Sequence, residues 1–226
     1  MELSKLNIKY LVVIVLMLVT LKFINPSWTN INWGISTTIL AVTILILVLI
    51  SFETQKLSIN YLVLIATVSS FAAIGRIIFM GIANFQPTTF IVMIVGYTWG
   101  SQAGFIVGMV SAFVSNLYLG QGPWTPWQML GWGLCGLLAG LLGKGQNSLR
   151  FLPFVILAGL CGLFFGSIMN IWHWLAFTFP LNWKTLIAVC ATSLTFDVVH
   201  AVGNLVFAFI LGKPFYIVLK RYRKFV

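Results

Sequence analysis

The chain has 226 residues, 60% of them hydrophobic and only 7% charged. A soluble domain holds about 25% charged residues, and one of this length could not bury so much apolar surface, so a water-soluble fold is excluded. Thirteen Lys and Arg against three Asp and Glu give a net charge of +10, a balance that in a soluble protein would point to nucleic acid; here the placement of the charges decides otherwise.

A membrane-crossing helix needs about 20 mostly apolar residues, and such runs recur along the chain. The first is expected over 8–25, ending at Asn25-Pro26. Lys5 and Lys9 precede it, but Phe23 to Ser27 has no small-x-small cleavage pattern, so the segment reads as a retained helix and not a signal peptide. A second helix is expected over 34–52, then a polar break from Glu53 to Lys56 and a helix over 58–82. Asn84-Phe85-Gln86-Pro87 reads as a loop, with Pro87 suited to a first helical turn. The run 87–98 is too short to cross alone. Helices follow over 101–119 and 127–143, separated by Gly120-Gln121-Gly122-Pro123-Trp124-Thr125-Pro126, the strongest loop signal present. The last two are expected over 151–178 and 185–212, with a turn from Pro180 to Trp183 and a basic tail. The fold class is therefore all-α, a polytopic transmembrane helical bundle.

Eight helices put both termini on one side. With that side inside, the inner segments carry Lys5, Lys9, Lys56, Lys144, Arg150, Lys213, Lys220, Arg221, Arg223 and Lys224; the outer ones carry only Lys22 and Lys184. Ten against two is a strong positive-inside bias, and the basic excess then faces anionic lipid. No nucleic-acid partner is expected. Seven of the nine tryptophans, among them Trp124, Trp127 and Trp183, fall at the predicted outer face. They form an interfacial belt or line a pocket for a flat organic ligand.

Arg76, Asp197, His200 and Asn204 are among the polar residues within the apolar runs. A charge at a helix centre costs about 3 kcal/mol unless paired or facing protein, so Arg76 and Asp197 are expected to pair or each to meet a polar partner. Asp197, His200 and Asn204, spaced i, i+3, i+7, share a helix face. Asp197, His200 and His173 supply the residues of an alternative reading as an intramembrane enzyme, although Asp-x-x-His is only a loose match to metal-ligand spacing and neither His-Glu-x-x-His nor a nucleophile motif accompanies it. Cys135, Cys161 and Cys190 read as small buried thiols. Small residues, such as Gly104-x-x-x-Gly108 and Ala66-x-x-x-Ser70, permit close helix contact.

The run Asn84–Lys144 resembles the substrate-binding S components of energy-coupling factor transporters. The match rests on Pro87-Thr88-Thr89, Gly104-Phe105-x-x-Gly108 and Gly120-x-Gly122-Pro123-Trp124-Thr125-Pro126-Trp127-Gln128-Met129, joined by Phe196-Asp197-x-x-His200-Ala201-x-Gly203-Asn204. The resemblance covers roughly 58–212, and within the family it is closest to the cobalamin type. It implies a six-helix core over 57–226, preceded by a two-helix extension over 1–56. It also implies capture of a vitamin, cobalamin or a corrinoid precursor foremost, at the extracellular face of a bacterial plasma membrane. Thiamine, queuosine and folate types remain open, since Asn84, Phe85, Gln86, Gln121, Trp124, Thr125, Trp127, His173 and Trp183 suit any of them. Implied partners are a transmembrane coupling protein, docked through Ala66, Ser69, Ser70 and Ala73, and two ATPase subunits. The chain itself has no P-loop, and neither catalysis, a cofactor nor a metal is expected of it.

Overall fold

A backbone in hydrocarbon finds no water and must satisfy its N–H and C=O groups within its own segment, so apolar runs of this length fold as helices. The computed structural model describes residues 32–53 and 57–223. They form α1 (Trp33–Glu53), α2 (Ile59–Ile78), α3 (Thr88–Trp99), α4 (Ser101–Leu119), α5 (Thr125–Gly143), α6 (Phe151–Phe177) and α7 (Trp183–Tyr222), with no strand among the described residues. Five of these helices, α1, α2, α4, α6 and α7, are long and apolar enough to cross a membrane. The seven correspond in order to the last seven of the eight expected; the helix expected over 8–25 lies outside the described residues.

Local chemistry sets several ends. Ser58 caps α2 by accepting the Tyr61 N–H at 3.2 Å. Asn182 and Thr185 form a capping box at the start of α7. Two boundaries differ from expectation. The helix expected to reach 82 stops at Ile78, and the chain turns from Phe79 to Gln86. The last helix does not stop at 212 but runs 40 residues, through Pro214 into the basic tail. Proline removes one backbone donor and one i→i−4 bond, yet neighbours hold the turns beyond it. Tyr216 donates to the Asn147 carbonyl at 3.0 Å, Lys220 to the same oxygen at 2.7 Å, and the Trp99 indole N–H to the Leu219 carbonyl at 2.9 Å.

The core is built around α3, all twelve of whose residues are buried. It packs against α5, α4, α7 and α2. At 1.5 Å per residue it is only about 18 Å long, so its first residues, Thr88 and Thr89, sit below the end of the bundle. Gly100, at φ 104° and ψ 164°, joins α3 to α4 in one residue, a conformation essentially confined to glycine. Gly96, Gly104 and Gly136 interlock where α3, α4 and α5 cross: a Cβ on Gly96 would run into the Gly136 carbonyl oxygen, and one on Gly104 would lie 2.6 Å from the Gly96 Cα.

The peripheral helices show one-sided burial. On α1 only Thr37, Ala41 and Leu45 are buried, against α5 and α6. On α2, Ser69, Ala72, Ala73 and Arg76 turn inward, while Ala66, Ser70, Phe71 and Ile74 are exposed. The 100° step per residue thus divides the four expected docking residues: Ser69 and Ala73 are buried within the bundle, and Ala66 and Ser70 lie on its surface. The cysteines divide as well. Cys135 and Cys161 are buried, but Cys190, expected to be so, is exposed, because it lies on the outward face of α7.

Candidate functional site

The C-terminal ends of α2, α4 and α6 and the N-terminal ends of α3, α5 and α7 meet at the end of the bundle predicted to be outer. Polar side chains concentrate just below it. Arg76, in the last turn of α2, is 9% exposed. Its guanidinium donates to Ser115 Oγ at 2.7 Å, Asn116 Oδ1 at 2.6 Å and, at a long 3.4 Å, Gln128 Oε1. The Trp132 ring covers one face, 4.7 Å from ring centroid to Cζ, a cation–π contact that gains strength away from water.

The same network reaches the Gly-Pro-Trp turn. Asn116 Nδ2 donates to Gln128 Oε1 at 2.8 Å and to Thr125 Oγ1 at 3.0 Å. Thr125 in turn donates to Gln121 Oε1 at 2.9 Å and accepts the Gly122 N–H at 3.2 Å. Gln121 Nε2 donates to the Phe113 carbonyl at 3.0 Å. The Trp124 ring lies flat against Gly122, where any Cβ would meet it. The turn is therefore tied through three side chains to the buried arginine.

A second chain runs inward from Trp132. Its indole N–H donates to Thr89 Oγ1 at 2.9 Å, and Thr89 Oγ1 is hydrogen-bonded to His200 Nε2 at 2.8 Å. Phe165 stacks on Trp132 at 4.5 Å and meets the His200 ring edge-on at 5.2 Å. One α7 turn further along, Asn204 is fully buried with no hydrogen bond to either side-chain atom.

Arg76 and Asp197 do not pair. Asp197 Oδ2 accepts from Ser193 at 2.8 Å and from Asn170 Nδ2 at 3.1 Å; each charge thus meets neutral polar partners, the other of the two outcomes expected. Asp197, His200 and Asn204 do share a face, toward α6, against Gly166, Phe165 and Gly162 respectively. Asp197 and His200 nonetheless have separate partners, so no acid–base pair forms between them. No group of three or more His, Cys, Asp or Glu side chains gathers as a metal site among the described residues.

The structure brings only some of the expected ligand residues together. Gln121, Trp124 and Thr125 join the Arg76 network. Trp127 donates to Thr38 Oγ1 at 3.2 Å, linking α5 to α1. His173 packs beside Trp172 and Phe177. Phe85 belongs to a ring cluster with Phe79 and Phe207, Asn84 donates to the Phe196 carbonyl at 3.3 Å, and Gln86 is half-buried beside Pro87. Trp183, 77% exposed, stands apart. Ser115, Asn116 and Gln128 were missed as site residues; the signal was available, since polar side chains inside apolar runs are costly and face protein. At the same end a cavity of about 340 Å³ opens between α1, α6 and the turn, lined among others by Asn32, Thr38, Pro123, Trp172 and Phe177.

The family model described as "ECF transporter, substrate-specific component" matches residues 60–212. A UPF0397 protein of Aliivibrio fischeri strain MJ11 is 31% identical over 130 residues, covering 51% of this chain and 68% of the relative. UPF0397 proteins of Aliivibrio salmonicida (32% over 92 residues, 38% and 50% covered) and Vibrio atlanticus (30% over 118 residues, 46% and 64% covered) are also similar. No solved structure gives a significant match. The matched span runs from the second residue of α2 to three quarters of the way along α7 and takes in both polar chains, and on it the chain belongs to the family of substrate-specific components of ECF transporters, multi-pass membrane subunits that work with a coupling protein and ATPases and are not enzymes.

Proposed function

We propose that this chain captures a vitamin or vitamin precursor at the extracellular face and delivers it inward with its coupling protein and ATPases. The family match over 60–212 carries the reading. The cavity and the tethered Gly-Pro-Trp turn support its placement, since both lie at the end that the basic residues mark as outer. The Trp172 and Phe177 rings supply apolar walls, with Asn32 and Thr38 as convergent polar groups, the usual make-up of a small-molecule site. In this reading α1 forms one wall of the pocket, and Ala66 and Ser70 are the members of the α2 small-residue stripe available for docking.

Size bears on the ligand. Small-molecule pockets span about 300–1,000 Å³, and 340 Å³ is near the lower bound. That volume favours a ligand of one or two rings over a corrin with its nucleotide arm. The test is isothermal calorimetry of the full chain in nanodiscs against thiamine, queuine, folate and cobalamin. One small member should bind near ~1 nM, about −12 kcal/mol. Tight cobalamin binding would overturn the size argument; no binding tighter than ~1 μM by any member would overturn vitamin capture.

A further inference from the structure

The chain has three acidic residues, Glu2, Glu53 and Asp197. Glu53 ends α1 at the opposite end of the bundle from Arg76. Asp197 is engaged by Asn170 and Ser193, and Glu2 lies outside the described residues. The oxygens that Arg76 does reach, on Ser115, Asn116 and Gln128, are all neutral. A guanidinium stays charged in proteins and carries five donors in a rigid fork, of which three are used here, the Gln128 bond being weak at 3.4 Å. Burying such a charge without a counter-charge is costly, and the cost is not relieved by a carboxylate within the described part of this chain.

Resting on the reading as a ligand-capturing subunit, we infer that the ligand carries an anionic group, a carboxylate or phosphate, that seats on the Arg76 guanidinium. Three observations aim the site at a ligand and not at lipid. Arg76 faces the bundle interior at 9% exposure. The Trp132 ring closes one face of the guanidinium; Nη1 is taken up by Ser115 and Asn116, whereas Nη2 has only the 3.4 Å contact to Gln128, so Nη2 is the donor to which a carboxylate or phosphate oxygen would bind, in a charge-assisted bond stronger than the neutral one it replaces. The half-buried Gln128 contacts both Arg76 and Asn116, the first member of the Asn116–Thr125–Gln121 chain that leads to the exposed turn, so Gln128 is the side chain that an anion on Arg76 would displace. The Gln128 oxygen occupies the place that the anion would take.

The experiment uses the full chain in phosphatidylcholine nanodiscs, with thermal unfolding recorded in chloride and, at matched ionic strength, in formate or inorganic phosphate. The wild-type midpoint should rise by about 3 °C in one of the two anions relative to chloride. Arg76→Gln should show no such rise. Gln128→Ala, which keeps Arg76 and removes its competing oxygen, should show a larger one. Should Arg76→Gln not fold, Arg76→Lys serves, because it keeps the charge but loses the fork and should lose most of the rise. Equal responses of wild type and variants, or no response in wild type, would overturn the inference and leave Arg76 a structural residue. A vitamin that binds equally well to wild type and Arg76→Gln would overturn it too while leaving vitamin capture intact; an anion response without binding of any vitamin would sink capture alone.

Discussion

Asn204 is fully buried, and neither of its amide atoms has a hydrogen-bond partner. An unsatisfied buried polar group costs about 1–3 kcal/mol, and leucine is nearly the same size and shape. Asn204→Leu should therefore leave stability unchanged or raise it by about 1 kcal/mol, read as a shift of the thermal or denaturant midpoint. A clear loss would mean that the amide holds a partner such as ordered water. Thr89, a few residues into the core from Pro87, gives the opposite sign. Its hydroxyl serves both the Trp132 indole and His200, so Thr89→Val strands two buried groups and should cost about 2–6 kcal/mol, each group at about 1–3. These two substitutions are alike in polarity removed and differ only in whether the polar atom was in use. Sequence showed Asn204 and His200 as polar residues on one helix face; it did not show that one is satisfied and the other not, because that depends on which atoms of α3, α5 and α6 arrive opposite them.

At the scale of elements, the three-helix crossing at Gly96, Gly104 and Gly136 brings backbones into direct contact. Small residues let backbones approach in lipid, where dispersion and not hydrophobic burial holds helices together. Gly96→Ala forces a Cβ onto the Gly136 carbonyl; overpacking of this kind costs about 1–3 kcal/mol or more. The variant should unfold at a lower midpoint, whereas Gly81→Ala, where an added Cβ meets nothing within 4 Å, should not. The Gly104-x-x-x-Gly108 spacing was readable, but its use for packing α4 onto α5 was not distinguishable from use as a docking stripe. The α7 boundary failed for a related reason. Gly212-Lys213-Pro214 is a good local stop signal, and it was overridden by bonds from Trp99 and Asn147, residues far away in sequence.

For the whole molecule, alternation of the helices places the Gly120–Trp124 turn at one end and the Lys144–Arg150 connection at the other. The positive-inside reading of Lys and Arg proposes that the turn end is extracellular. In intact bacterial cells, a membrane-impermeant maleimide should label Gln121→Cys, while Ser148→Cys should react only after permeabilisation; both are made in a background with the native cysteines replaced, since Cys190 is exposed. The reverse pattern would invert the bundle and move the ligand cavity to the cytoplasm.

By itself the sequence determined the membrane class, the order of the helices, most of their ends and the family, because each of these is written in local composition: runs of apolar residues, Gly-Pro turn chemistry, caps and a contiguous motif. The tertiary structure alone decided the partners. Arg76 and Asp197, the two opposite charges deep within the helices, looked like candidates for each other along the chain, yet the rotation of α2 turns Arg76 to Ser115, Asn116 and Gln128 while α6 supplies Asn170 to Asp197. Likewise the burial of α3 throughout its length, the split of the α2 stripe into inward and outward residues, and the separation of Trp183 from the turn all follow from how helices rotate and cross. Those angles are set by packing among residues distant in sequence, which no local pattern records.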